Sequence, residues 1–417
     1  MIRKLIFVVF VLFGLSLQAQ TETPINDSIK RVNLLKEIGQ GFLPSKLFKF
    51  DLRYLVKYNQ YEGFRSGIGG ITNDEFSKKF RINSYIVYGF VDKTIKYSVG
   101  GGYKVAEDTN TWINYSYTDD LTETGSTQFI LDKRFFQFFE PRLLNISLFH
   151  RHVSNKVTVE HEILPKLLSE FQVSVNNIEP KYGYTYVLDG KDYRDFGTSI
   201  GKLALQWMPF TEIDPETKKI TKDGFPKFTL QYTKSFKNVF DADFNFSKTD
   251  LRVVQKFDYN EPESFSILTF TAGYAHGDTP ITDMYHAYPN NINKETIGQR
   301  FSVAGINSFE TMYFNEFFSD RFSTLIFKHY FEPFHFGKKF NPQLVLINRL
   351  AIGNMKNINR HDGIDFGTLE HGYTEAGFEL NKLLFGFGLS TTYRYGAYHL
   401  PLEEDNIAIK FTFNITL

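Results

Sequence analysis

The sequence predicts an all-β protein, a transmembrane antiparallel β-barrel of about 16 strands preceded by a short helical lead-in. Three observations carry this expectation. Segment after segment alternates with period two, bulky apolar residues against polar or small ones, as in "TIKYSVGGGYKV", where Ile95, Tyr97, Val99, Tyr103 and Val105 share one face. Many of these segments are long enough to cross a hydrocarbon layer on a tilt, which takes about 9 to 11 residues, whereas strands of soluble proteins average about 5 or 6. Finally, the chain carries 45 Phe and 24 Tyr among 417 residues, more rings than a soluble core of this size holds. A barrel places such rings on its outer girdles and keeps the polar residues for its lumen.

Composition also excludes several classes. Lys plus Arg and Asp plus Glu are both 47, so long-range attraction for nucleic acid is missing and no nucleic-acid partner is expected. With no cysteine, disulfides, thiolate metal sites and lipoprotein anchoring are unavailable. The ten histidines show no His-Glu-x-x-His spacing, and neither a metal nor another cofactor is expected.

From the N-terminus, Arg3 and Lys4, the apolar run Leu5 to Leu15 and the small residue Ala19 make residues 1–19 a signal peptide. Residues 20–46 form a periplasmic segment, in which Ile29, Val32, Leu35 and Ile38 behind Asp27 and Ser28 predict a short helix. The barrel spans 47–417, with "LFKFDLRYLVKYN" as a lead-in strand or a cover over the periplasmic mouth. Strands are expected at 63–72, 80–90, 94–105, 111–118, 144–153, 156–164, 170–178, 197–208, 227–236, 243–257, 264–275, 320–331, 341–353, 372–381, 385–396 and 406–417. Link 91–94 is short, as periplasmic turns are. Link 119–143, on the same side in this count, is long, and "STQFILDKRFFQFF" within it reads as an extra strand or a helix inside the barrel. The last strand sends Ile407, Ile409, Phe411, Phe413, Ile415 and Leu417 outward and Ala408, Lys410, Thr412, Asn414 and Thr416 inward. A closed barrel leaves no free edge, so this strand is expected to pair with the first.

Two stretches, "YNQYEGFRSGIGG" and "HGYTEAGFEL", together with "GINSFETMYFNEFFSDRF", resemble a family of uncharacterised outer-membrane proteins whose longer members carry a carboxypeptidase-like regulatory domain ahead of the barrel. Asn59, Glu62, Gly63, Gly372, Tyr373, Glu375 and Gly377 carry the likeness. That family is in turn similar to the barrel-assembly superfamily of outer-membrane insertases and two-partner secretion transporters, which have sixteen strands, a long sixth extracellular loop and five strands after it. Here the long interval 276–319 is likewise followed by five expected strands. The superfamily's Val/Ile-Arg-Gly-Phe/Tyr loop motif is absent, Gln299, Arg300 and Phe301 being the nearest approach. Modules that deliver clients are missing too, and Leu417 departs from the aromatic residue on which such barrels often end. The resemblance implies the outer membrane of a gram-negative bacterium and transport or assembly of surface components. It implies as partners membrane lipid, the barrel-assembly machinery during biogenesis, and a surface or periplasmic protein.

Residues that could carry chemistry are few. "GTSIG" (197–201) matches a nucleophile elbow, but the strand-like "KLALQW" follows it where an elbow needs a helix. "HVSN" places His152 and Ser154 on one side of a strand, with Asn155 beside them, as in outer-membrane phospholipases and lipid A deacylases. A barrel-borne lipid hydrolase is therefore the alternative function, and Ser154 and Asn155 as turn residues the structural one. A structural or adhesin-like barrel is the third, and enzymatic activity is left open. Glu310, Glu316, Asp320, Arg321, Arg349, Glu370 and Glu375 are too costly for a lipid face. They are assigned inward, where they either brace a folded-in loop or are solvated by lumen water.

Overall fold

A computed structural model describes residues 34–413 apart from 36, 133–141, 143–145, 215–219, 260–262, 293–301, 337–339 and 385. The signal peptide and most of the expected helix lie outside the described residues. So do Gln299, Arg300, Phe301 and residues 414–417. Leu34, Leu35 and Glu37 to Gly39 are helical.

Among the described residues the fold is built on one large sheet of nineteen strands, antiparallel except where Ser302–Val303 joins its neighbour, with three small sheets beside it. Two of the nineteen, Phe42–Pro44 and Ser302–Val303, are short additions, and Phe48–Asp51 and Val56–Asn59 are two halves of one rail along the same neighbour, so sixteen wall strands remain. In chain order, β1 is this interrupted rail (Phe48–Asp51 and Val56–Asn59), β2 is Gly63–Thr72, β3 Phe80–Gly89, β4 Ile95–Ala106, β5 Thr111–Glu123, β6 Phe149–Leu164, β7 Leu167–Pro180 and β8 Phe196–Trp207. Continuing, β9 is Lys227–Ser235, β10 Phe246–Asp258, β11 Phe265–Gly277, β12 Arg321–Tyr330, β13 Gln343–Asn354, β14 Tyr373–Leu384, β15 Phe387–Tyr395 and β16 Ile407–Phe413. Each pairs with the next in the sequence, the up-and-down order of a barrel.

The pleat sorts residues as the period predicts. Outward positions such as Phe64, Ile86, Val99, Leu203, Leu350 and Phe411 are exposed and apolar, while inward Ser98, Thr233, Asp250, Arg349, Arg394 and Lys410 are buried. Such a distribution inverts that of a soluble protein and matches a wall with hydrocarbon outside and polar contents inside.

Two expectations are corrected. The strands expected at 144–153 and 156–164 are one strand, β6, whose ladder runs through Thr118↔Ser154 and Tyr117↔Asn155 without a break. Polar residues in a wall strand facing a polar lumen look, in one dimension, like a turn. The lead-in segment is in turn the first wall strand, so the two changes cancel in the total. They move the links, however: 90–94 and 124–148 both lie at the end opposite Phe48, here called the loop end, which explains how one can be short and the other long. Residues 126–132 form no strand or helix; Ile130 donates its N–H to Gln231 Oε1 on β9 at 3.0 Å, so this stretch enters the lumen as irregular chain.

The terminal seam also departs from expectation. Among the described residues no ladder joins β16 to β1 or β2; the edge of β16 turned away from β15 pairs in parallel with Ser302–Val303, and Ala304 donates its N–H to the Phe411 carbonyl at 2.7 Å. A loop segment thus supplies the hydrogen bonds expected of the first strand.

Ser154→Pro tests the continuity of β6. Proline removes a ladder donor from an interior strand, so the heat-dependent mobility shift of the folded barrel in detergent gels should be lost, whereas a turn at that position would accept the substitution.

Candidate functional site

The described parts of the loop between β11 and β12, residues 278–292 and 302–320, turn back into the barrel. The loop's first anchor is Tyr285, which donates its hydroxyl to Asp250 Oδ1 on β10 at 2.6 Å and stacks on Phe322 with ring centroids 4.5 Å apart. Gly273 makes room for it, since a Cβ there would lie 2.5 Å from Tyr285 Cζ. Further along, Pro289–Asn291 pairs in parallel with Phe309–Tyr313, in which Phe309, Glu310, Thr311 and Met312 are buried.

This inner strand is held by one carboxylate. Glu375, on β14, accepts the N–H groups of Glu310 and Thr311, both at 2.9 Å, and the Thr311 hydroxyl at 2.5 Å. Arg349, its neighbour in register on β13, binds the same carboxylate through Nη1 at 2.6 Å, and both side chains are fully buried. Thr311 also meets the Tyr373 hydroxyl at 2.7 Å. Glu310 in turn lies 3.1 Å from Lys410 Nζ on β16 and accepts from Ser308 Oγ at 2.7 Å, Asn290 Nδ2 at 2.8 Å and the Gly305 N–H at 3.0 Å. Lys410 also donates to the Asn290 carbonyl. Arg394 on β15 grips Glu316 through Nη2 at 2.7 Å and lies 4.7 Å from the Tyr373 ring centroid. Burial opposes ionisation of Glu310, but Lys410, Arg349 and the Ser308 hydroxyl outweigh it and hold the carboxyl below its usual range.

Other inward charges secure the loop end. Arg142, in the loop 124–148, pairs with Glu123 and donates Nε to the Pro289 carbonyl at 3.0 Å, and His286 Nε2 meets Glu123 Oε1 at 2.7 Å. Burial keeps the His286 imidazole below its ordinary value against the pull of Glu123. Tyr184 meets His361 Nδ1 at 2.9 Å, and burial with the adjacent Arg360 lowers that imidazole to about 4. Around these groups Phe244, Phe309, Phe317, Phe318, Tyr186 and Leu369 form a hydrophobic cluster that joins several loops.

The candidate residues divide accordingly. Glu310, Glu316, Arg349 and Glu375 meet in the lattice just described. Asp320 instead accepts the Lys356 N–H at 2.8 Å near the rim, with Arg321 3.8 Å away, and Glu370 is half exposed, 3.4 Å from Asn354 Nδ2. The motif residues fall into two places. Asn59 and Glu62 close the β1–β2 turn, Asn59 donating Nδ2 at 2.6 Å and accepting the Glu62 N–H at 2.7 Å, while Gly63 takes the left-handed φ of 65° that this turn requires. Glu62 then meets Lys96 at 2.7 Å and Arg65 at 3.4 Å, and Arg65 forks onto Asp120 with two contacts of 2.7 Å. Gly372 is a loop residue with φ 79°, Tyr373 and Glu375 belong to the lattice, and Gly377 lies so close to β15 that a Cβ would be 2.1 Å from the Thr391 carbonyl.

No hydrogen bond joins His152 to Ser154: His152 Nδ1 meets Thr122 Oγ1 at 3.0 Å, and Asn155 faces outward, accepting from the Tyr115 hydroxyl at 2.7 Å. Arg142, Lys328, Arg394 and Arg65 escaped the candidate list. The available signal was a charge at inward parity in a wall strand, which marks Arg394 and Lys328 as readily as Arg349.

Two outcomes follow. Arg349→Met leaves the Glu375 carboxylate buried without its cation, a loss of about 3–5 kcal/mol. The paired variant Arg349→Met with Glu375→Gln should recover much of it, measured as protease resistance of 278–320 and unfolding temperature. Burial and the adjacent Arg360 hold the His361 imidazole well below its ordinary value in the folded protein, so the stability it contributes is complete above the ordinary imidazole pKa of about 6.5. It is lost as pH falls towards about 4, and proteolysis of 278–320 should therefore accelerate across that window.

No family model and no curated protein matches the sequence. Among solved structures, BamA from Haemophilus ducreyi lacking POTRA domains 1–3 is similar over 85% of this chain and 68% of that one, at 8% identity and a TM-score of 0.53. CdiB from Acinetobacter baumannii matches over 85% of this chain at 11% identity and a TM-score of 0.42, and this chain spans 57% of that one's length. The likeness to BamA is one of fold.

Proposed function

We propose that the chain is an outer-membrane β-barrel of a gram-negative bacterium that transports or assembles surface components, with the loop 278–320 as its internal plug. One observation carries this reading: the plug is not only inside the lumen but hydrogen-bonded to the edge of β16, the strand whose neighbour across the seam would otherwise be β1. A backbone edge covered by two residues of a loop is a replaceable contact, since any extended segment can offer the same amides and carbonyls. The barrel fold shared with BamA and the apolar outer belt support the membrane setting. In this reading Arg349, Glu375, Glu310, Glu316, Arg394 and Lys410 brace the plug in its resting position, and the partner is a protein of the surface or the periplasm.

The absence of native cysteine makes the test clean. Val303 and Phe411 are register partners, and adjacent strands hold Cα atoms within disulfide reach. Val303→Cys with Phe411→Cys should give a planar-bilayer conductance that is silent when oxidised and fluctuates between levels after reduction. Equal conductance in both states removes the plug from the mechanism.

A further inference from the structure

The described parts of the loop 278–320 are fastened to two sides of the barrel. The second half is tied to β13, β14, β15 and β16 through Glu375, Arg349, Arg394 and Lys410. The first half is tied half a circumference away, to the end of β5 and to the loop 124–148 that follows it. Gly125 donates its N–H to the Thr282 carbonyl at 3.3 Å, and His286 donates its backbone N–H to the Gly125 carbonyl at 3.2 Å. Gly125 has φ 75°, and a Cβ there would lie 2.7 Å from Phe318 Cε1, so the two loops approach this closely because the residue is glycine.

One side chain gathers this second attachment. Arg142 belongs to the loop 124–148, of which residues 124–132, 142 and 146–148 are described. Its guanidinium forks onto Glu123, Nη1 standing 3.2 Å from Oε2 and Nη2 against Oε1, while Nε donates to the Pro289 carbonyl at 3.0 Å. The same guanidinium lies 5.2 Å from the Tyr288 ring centroid and 5.9 Å from that of Phe314. Glu123 also accepts from His286 Nε2 at 2.7 Å, and His286 Nδ1 accepts the Tyr288 N–H at 3.0 Å. Arg142 Cδ is 3.8 Å from where a Cβ on Gly305 would stand, next to Ala304, whose N–H is bonded to the edge of β16. A further contact joins the two loops where Asn315 Nδ2 donates to Ser147 Oγ at 3.2 Å.

We infer that Arg142 is a latch through which the surface loop 124–148 controls the plug. While the guanidinium sits between Glu123 and Pro289, the plug stays fastened on both sides and covers the edge of β16; withdrawal of the loop takes Arg142 with it and frees the first half of the plug. This inference rests on the plug reading above. Of the two attachments, Glu375 and Arg349 stand on wall strands held by ladders along both edges, whereas Arg142 stands on a loop. The loop is therefore the side that lets go at lower cost. Release is passed on because Pro289–Asn291 pairs with Phe309–Tyr313, the inner strand that Glu375 holds. Arginine suits the task, since its planar fork satisfies a carboxylate and still leaves an N–H for a carbonyl.

Amide hydrogen exchange of the full chain in detergent tests this at two sites, Ala304 beside Arg142 and Thr311, which hangs on Glu375. In Arg142→Gln both amides should exchange about tenfold faster, the worth of one charge-assisted hydrogen bond. Arg142→Lys keeps a charge against Glu123 but lacks the fork that also reaches Pro289, so it should accelerate both by less; it carries the test if the glutamine variant loses the heat shift of a folded barrel. Arg151→Gln breaks an outward-facing ion pair at the same end of the wall, Arg151 to Asp119 at 2.7 and 2.6 Å, and should leave both amides at the wild-type rate. Acceleration at Ala304 without Thr311 makes Arg142 a local contact and overturns the latch, as does equal acceleration by Arg151→Gln. Slow exchange of Thr311 in the wild type and in both Arg142 variants removes the latch alone. Exchange of wild-type Thr311 as fast as that of the exposed Ile306 removes plug and latch together.

Discussion

Everything inside this barrel depends on the Glu375 carboxylate. It accepts two successive backbone N–H groups from the inner strand Phe309–Tyr313 while Arg349 neutralises it from the adjacent wall strand. Backbone amides taken out of water need acceptors, and an inner strand with a wall of side chains around it has no sheet neighbour to supply them all. A carboxylate can supply two at once, but only if a cation accompanies it into the interior, because an isolated buried charge is prohibitively costly. Arg349 is that cation. The pair contributes less to net stability than to position, since an apolar replacement would fill the space but could not fix the register of the loop against the wall.

From that point the lattice spreads sideways. Glu310, placed by Glu375, reaches Lys410 on the last strand, and Glu316 reaches Arg394 on the strand before it. The loop is therefore tied to β13, β14, β15 and β16 in turn, and the same chain segment lies along the edge of β16 at Ser302–Val303. Position in the lumen and cover of the seam are consequences of one set of contacts, so a change that releases the first also releases the second.

Much of this was legible in the residues. The outward and inward faces of the wall, Lys410 among the inward residues, follow directly from the period-two alternation, and Arg349 and Glu375 are assigned inward because a lipid face would not accept them. What one-dimensional pattern could not show was partnership, since Glu310 and Glu375 are 65 residues apart and meet only because the loop returns. Pattern also failed at "HVSN", where Ser154 faces a polar lumen and so imitates a turn, and at "LFKFDLRYLVKYN", where the 3-10 turn Leu52–Tyr54 interrupts an otherwise regular first strand. The first failure has a plain origin: in a wall with polar contents, hydrophilic residues no longer mark the ends of strands. The Arg142 latch was illegible for a different reason, as Arg142 and Pro289 are 147 residues apart and meet between two loops.

The most direct measurement is amide hydrogen exchange at Glu310 and Thr311 in the folded chain in detergent. Both N–H groups are bound to a buried carboxylate, so they should exchange as slowly as wall amides such as those of β13 and β14, far more slowly than the exposed loop residue Ile306. Exchange of Glu310 and Thr311 at the rate of Ile306 would contradict the account, because it would mean that the loop is not held by Glu375.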